Sequence, residues 1–285
     1  MLLYEPIELT VNMLSSSPSI YSLGLFLTMS FELVLLFIAG FFGGVLNSIA
    51  GGGSFITFPT LIFVGIPPIM ANATNTFASC VGYMSGTYAF RKEIADHRDE
   101  LLLILIISLI GGISGAWLLL QTPQAVFREA IPWLLLFATV LFIFGGQINT
   151  GLKKIASNHR HASSIGGILL LIILFGISTY GGFFNAGLGI ITLSYLALAG
   201  HTNINTMNGL KLLISSTVSL IAVALFIYND LIAWYEGTIV LCGTLAGGYV
   251  AAYVSRQLPQ KQVRRFVIVA SIATTLYFFF DIYAG

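Results

Sequence analysis

The chain has 285 residues, 57% hydrophobic and only 8% charged, with 12 Lys and Arg against 11 Asp and Glu and a formal net charge of +1. Soluble domains carry about 25% charged residues, so this chain cannot coat a water-facing surface, and a net charge so near zero gives nucleic acid no electrostatic footprint. The arithmetic describes an all-α integral membrane protein with several spans, whose first partner is the lipid bilayer.

Residues 1–20, with Glu5, Glu8 and the run Ser15 to Pro18, read as an N-terminal lead-in. No Lys or Arg cluster precedes the first apolar stretch as a signal peptide requires. Apolar segments near 21–49, 67–90, 101–121 and 130–148 make a first transmembrane repeat, 21–149. A basic linker loop is expected at 150–164, and segments near 165–185, 205–228, 231–254 and 264–281 make a second repeat, 165–285. Each segment approaches the roughly 20 residues a helix needs to cross about 30 Å of hydrocarbon. Two further pieces, 54–66 and 189–200, follow glycine-rich breaks and are too short to cross as regular helices. The pattern predicts about eight long transmembrane helices and two half-helices or re-entrant segments. Pro59, Pro67 and Pro68 are expected at the ends of the first short helix. Cys80 and Cys242 lie in apolar segments, where cysteine acts as a small packing residue.

The two halves repeat one another. Gly43-Gly44-Val45-Leu46-Asn47 is echoed 138 positions later by Gly181-Gly182-Phe183-Phe184-Asn185, and a small-residue break follows each Asn. The second break, Ala186 to Gly189, reads as three residues shorter; past it Thr57 matches Thr192, Leu61 matches Leu196 and Gly65 matches Gly200. Gly111 and Gly115 match Gly243 and Gly247, and with Gly82 and Gly86 they form small-xxx-small faces for close helix packing. If the short pieces do not cross, the loop Lys and Arg divide evenly between the two sides. If they cross, every loop cation except Arg128 among Arg91, Lys92, Arg98, Lys153, Lys154, Arg160, Arg256, Lys261, Arg264 and Arg265 falls on one side. The positive-inside rule therefore favours inverted repeats, a plan on which secondary transporters place substrate at the midplane where the helices are interrupted.

The break Asn47-Ser48-Ile49-Ala50-Gly51-Gly52-Gly53-Ser54 is the most informative stretch. Successive glycines in apolar surroundings leave backbone groups without helical partners, and the half-helix beyond points free N–H groups and a positive dipole end at the break, a ready anion site. Asn185, Gly187 and Gly189 are expected to do the same from the other half. Lys211 is the basic residue deep in a span, where a buried ammonium costs at least about 2.5 kcal/mol and calls for a polar or anionic partner. In the first half the corresponding stretch is uncharged, with Thr74, Asn75 and Thr76 as hydrogen-bonding groups. Glu32 and Glu236 are candidate coupling carboxylates or interfacial residues. His201 reads as a boundary residue, and His97, His159 and His161 show no metal-ligand spacing, so neither a metal nor a cofactor is expected. No HExxH, paired-cysteine zinc motif, P-loop or Ser/His/Asp set points to an enzyme.

The stretch Ala39 to Leu61, with Gly65-Ile66-Pro67-Pro68 and Ala71-Asn72-Ala73-Thr74-Asn75, resembles the first-repeat signature of the TauE/SafE sulfite exporter family, also called TSUP (4-toluene sulfonate uptake permease type). Gly181-Gly182, Asn185 to Gly189 and Gly209-Leu210-Lys211-Leu212 resemble its second repeat, and the likeness spans about residues 30–283. The resemblance implies a bacterial inner-membrane transporter that exports small sulfur-containing or organic anions such as sulfite, sulfoacetate or related sulfonates, driven by a proton or sodium gradient. The expected substrate-binding set is Asn47, Ser48, Gly51, Gly52, Gly53, Ser54, Thr74, Asn75, Asn185, Gly187, Gly189 and Lys211. A passive anion channel is the alternative, and a homo-oligomer is compatible with either.

Overall fold

The structure, a computed structural model, describes residues 18–49, 51–158, 164–254 and 260–283. Among them every regular element is an α-helix: α1 (Pro18–Ile49), α2 (Ser54–Phe63), α3 (Pro68–Ala89), α4 (Arg91–Ala95), α5 (Arg98–Gln121), α6 (Gln124–Asn158), α7 (Ser164–Phe183), α8 (Leu188–Leu198), α9 (Ile204–Tyr228), α10 (Trp234–Val254) and α11 (Gln260–Tyr283). Five stretches within these helices are long and apolar enough to cross a bilayer: Ser30–Ser48, Arg98–Gln121, Gln124–Gly145, Ile204–Tyr228 and Arg265–Tyr283. The short segments expected after the two breaks are the helices α2 and α8. The lead-in before residue 18 and Ala50 lie outside the described residues. The short helix α4 was not expected, and α6 continues to Asn158, through part of the stretch read as a loop, because no proline or paired glycine stops it there.

The long helices pack through their glycines. A Cβ on Gly44 would lie 2.2 Å from the Thr244 carbonyl oxygen, and one on Gly247 would lie 1.9 Å from that of Phe41, so α1 and α10 touch backbone to backbone. Gly115 would meet the Thr179 carbonyl at 2.0 Å and Gly182 the Gly112 carbonyl at 2.4 Å, giving α5 and α7 the same contact. In both pairs the contacts advance together along the two chains, so the helices run parallel. Hydrophobic burial supplies little drive between helices in lipid, which leaves this close van der Waals approach as a main source of cohesion. Gly86 packs on Leu212, whereas a Cβ on Gly82 would meet nothing within 4 Å; Gly82 does not belong to a packing face.

Between these pairs lie α3 and α9, which run antiparallel: Gly209 abuts Phe90, Gly86 abuts Leu212, the Thr87 and Ser216 hydroxyls are 2.9 Å apart, and Asn185 joins Tyr83 to Ser219. The low apolarity of α3 has a structural reason. Asn72, Thr74, Asn75, Thr76 and Ser79 are buried within the bundle, where each polar group needs a protein partner rather than lipid.

Both short helices end alike. Gly65 (φ +91°) and Gly200 (φ +96°) take the left-handed conformation that closes a Schellman motif. Ile66 N–H donates to Leu61 O and Gly65 N–H to Ile62 O in α2, while His201 N–H donates to Leu196 O and Gly200 N–H to Ala197 O in α8. Pro59 does not end α2 but lies inside it. Its missing N–H would have served Phe55 O, and Thr274 Oγ1 donates to that carbonyl instead at 3.2 Å. Pro67 and Pro68 do open α3 as its cap and first residue. Aromatic rings fill the centre: Phe58 of α2 lies edge-on to Phe184 at 5.5 Å and stacks on Phe278 of α11 at 6.2 Å.

Candidate functional site

The two breaks have equal length but different register. Four residues, 50–53, separate α1 from α2, and four, 184–187, separate α7 from α8. The shortfall read from the sequence comes from the preceding helix, whose end shifts by four residues relative to its Asn. α1 continues past Asn47 to Ile49, whereas α7 stops at Phe183, two residues before Asn185. Asn47 therefore sits on a helix and half-buried, while Asn185 sits in the break and is buried. Each break turns on a left-handed glycine, Gly51 (φ +80°) and Gly187 (φ +81°), a conformation that costs glycine nothing.

The first break is packed against its neighbours at Gly52 and Gly53, while Gly51 faces open space and Ser48 is exposed. Gly53 would drive a Cβ to 2.2 Å from Gly43 O, so the start of α2 lies against the α1 backbone, and Gly52 faces Val267 and Phe142. Ser48 Oγ donates back to Gly44 O at 2.9 Å. From α3, Asn75 grips the first turn of α2: its Nδ2 donates to Ser54 Oγ at 3.2 Å and its Oδ1 accepts from Thr57 Oγ1. Thr74 turns elsewhere, its Oγ1 accepting from Ala233 N–H at 3.0 Å just before α10, and Thr76 Oγ1 donates to Asn72 O.

The second break is held by a different set. Asn185 Oδ1 accepts from Tyr83 Oη at 2.9 Å and its Nδ2 donates to Ser219 Oγ at 2.8 Å, which ties the break to both α3 and α9. Asn72 Nδ2 donates to Phe183 O at 2.9 Å, and Tyr180 Oη donates to Ala186 O at 2.8 Å. Asn72 and Asn75 stand three apart on α3, hence on one face. One holds the second break and the other the first.

Lys211 meets the start of α8. A Cβ at Gly189 would lie in ordinary contact with Lys211 Cδ at 3.5 Å, so the lysine stem runs beside the first turn of α8. Lys211 is half-buried, and among the described residues its ammonium makes one hydrogen bond, to Asn208 Oδ1 at 3.4 Å. The ion pairs among the described residues, His97 with Glu100, His201 with Glu100 and Arg128 with Asp281, do not include it. One turn farther along α9, Ser215 is 1% exposed and its hydroxyl has no partner. A buried unpaired hydroxyl costs about 1–3 kcal/mol and asks for an explanation. Sequence reading missed Ser215, Tyr83 and Ser219; for Ser215 the available signal was its i+4 spacing from Lys211.

Neither carboxylate pairs with Lys211 among the described residues. Glu32 is exposed on α1, fifteen residues before Asn47, about 22 Å along a helix. Glu236 stands in the first turn of α10, where a carboxylate complements the helix dipole. Cys80 is buried and Cys242 exposed, both as free thiols. A cavity of about 510 Å³ opens between α3, α4, α5 and α9, and Arg91, Arg98, Thr87 and Ser216 contribute to its lining. The Thr87 and Ser216 pair lies one helical turn from Tyr83 and Ser219.

Comparison with known proteins agrees with this architecture. A probable membrane transporter protein of Haemophilus influenzae is 28% identical over 250 residues, covering 87% of this chain and 95% of its own length. The probable membrane transporter protein YfcA of Escherichia coli K12 is 27% identical over 259 residues, 90% of this chain and 93% of its own. A further probable membrane transporter protein, from a Sinorhizobium species, is 28% identical over 246 residues, 86% and 91% of the two chains. No solved structure matches the chain. The family model for the sulfite exporter TauE/SafE matches residues 36–278, so the chain is a multi-pass membrane protein of the transporter class and belongs to the TauE/SafE family.

Proposed function

We propose that the protein is a secondary transporter of small sulfur-containing or organic anions, sulfite and sulfonates among them, that exports its substrate by alternating access around the two helix breaks. The observation that carries this reading is the uncommitted polar chemistry at the second break. Lys211 and the unpaired Ser215 hydroxyl share one face of α9, beside the first turn of α8, whose N–H groups and dipole favour an anion. An oxyanion there would supply the ammonium with its missing partner and the hydroxyl with its acceptor. Asn47, Ser48, Gly51 to Ser54, Thr74 and Asn75 shape and brace the site from the first half, and Asn185, Gly187 and Gly189 frame it from the second. The cavity bordered by Arg91 and Arg98 is the approach from one side, and the Thr87 and Ser216 pair is the constriction between it and Asn185.

An inverted repeat underlies the mechanism. Packing α1 with α10 and α5 with α7 exchanges first and third long helices between halves, as a two-fold relation requires. The antiparallel run of α3 and α9 supports inversion: were the short helices not to cross, these two would run parallel. Arg128, the one cation on the wrong side of the charge distribution, stands 3.5 Å from Asp281. Rocking one bundle on the other opens each face in turn, with a proton or sodium gradient as the driver and Glu32 or Glu236 as the coupling group.

The test is flux of sulfite, sulfate, thiosulfate, sulfoacetate and acetate through the purified protein in liposomes under an imposed proton gradient. Saturable flux of sulfur oxyanions, accelerated by anion on the opposite side, is expected. Unsaturable flux without counter-transport acceleration identifies a channel, and no flux of any anion refutes the substrate class.

A further inference from the structure

His97, Glu100 and His201 are distant in sequence and unrelated to the anion site, yet the fold gathers them. His97 precedes the first residue of α5, and Glu100 lies in that helix's first turn. Glu100 N–H donates to His97 O at 3.2 Å. His201 follows Gly200 in the Schellman motif, so the end of α8 sets where its backbone sits. His97 Nδ1 lies 2.9 Å from Glu100 Oε1 and His201 Nε2 lies 3.4 Å from Glu100 Oε2. The two imidazoles stand edge to face at 5.3 Å, and the three potential donor atoms all lie within 4.8 Å of one another.

We propose that His97, Glu100 and His201 bind a divalent transition-metal ion of the zinc class and thereby tie the connection between α8 and α9 to the start of α5. Two imidazoles and one carboxylate are a donor set that zinc accepts, with a fourth position left for water. Donors at about 2.0 Å from a tetrahedral ion stand about 3.3 Å apart, a spacing these side chains reach with small rotations. Metal binding takes each imidazole in its neutral form and releases any proton it carries. All three side chains are partly exposed, which leaves an entry path.

The experiment is zinc titration of the purified full-length protein without an affinity tag, followed by calorimetry, with cobalt absorption as a second readout of a tetrahedral nitrogen and oxygen site. His159 and His161, outside the described residues, could bind zinc themselves, so a His159→Ala/His161→Ala variant is titrated in parallel. One zinc per chain is expected in both proteins, with affinity at least about tenfold weaker in His97→Ala and in His201→Gln. Glu100→Gln, which retains the size of the side chain, is titrated beside them in case His201→Gln fails to fold. Absence of zinc binding by the parent, loss of binding in the His159→Ala/His161→Ala protein, or affinity unchanged by His97→Ala and Glu100→Gln would each overturn the site.

Discussion

The helices α3 and α9 occupy like places in the two halves and do opposite work. Counted from their first residues, Pro68 and Ile204, Asn72 and Asn75 hold the positions of Asn208 and Lys211. The pair on α3 is spent on the protein itself: Asn72 holds the end of α7, and Asn75 holds the start of α2. The pair on α9 is joined by one long contact, and the residue facing Lys211 is Gly189, which has no side chain to offer it. In the proposed function one half supplies a rigid brace and the other an open ligand site. On that proposal a repeated scaffold becomes an asymmetric binding centre through a pair of side chains, a division that leaves recognition charge on one side and structural cost on the other.

Substitutions break or sharpen that comparison. The largest effects belong to the helix crossings the halves share. Gly115→Leu and Gly247→Leu each force a side chain into a facing backbone carbonyl, and neither variant is expected to yield monodisperse protein on size exclusion. Asn185→Ala removes one partner of the Tyr83 hydroxyl and the donor to Ser219 Oγ, while Asn47 still reaches Tyr83, so denaturant or thermal unfolding in detergent should show a loss of about 1–3 kcal/mol. Asn47→Ala, on a half-buried helix position, removes a side-chain hydrogen bond with the Tyr83 hydroxyl and should cost about 1 kcal/mol. Asn75→Ala frees Ser54 and Thr57 and should cost about 1–3 kcal/mol while flux at saturating anion survives. Thr274→Val removes the donor to Phe55 O and should cost about 1 kcal/mol. Gly82→Ala meets open space and should leave stability and flux unchanged.

Much of this was legible because apolar runs and glycine breaks write plainly. The helix segments follow from runs of apolar residues, and both breaks follow from glycines. The matches of Leu61 with Leu196 and Gly65 with Gly200 correspond to the same capping motif. Where the sequence misled, tertiary partners decided. Pro59 reads as a helix end until Thr274, some 215 positions away, is seen to serve the freed carbonyl. The shorter second break reads as a missing piece, but α7 simply stops earlier than α1 does. Thr74 and Asn75 look alike in sequence, yet one caps the approach to α10 and the other clamps α2. His97 and His201 could not be paired from spacing, because the fold alone brings the ends of α5 and α8 together.

The division of labour between Asn75 and Lys211 is tested most directly by measuring stability and anion flux together for Lys211→Gln and Asn75→Ala in the same liposome preparation. Lys211→Gln should keep or raise stability, since it removes a half-buried charge with no carboxylate partner among the described residues, and should lose flux by about tenfold to hundredfold, the worth of a charged hydrogen bond. Asn75→Ala should show the reverse, weaker folding with flux retained. Parental flux in Lys211→Gln, with the protein folded, would contradict the account.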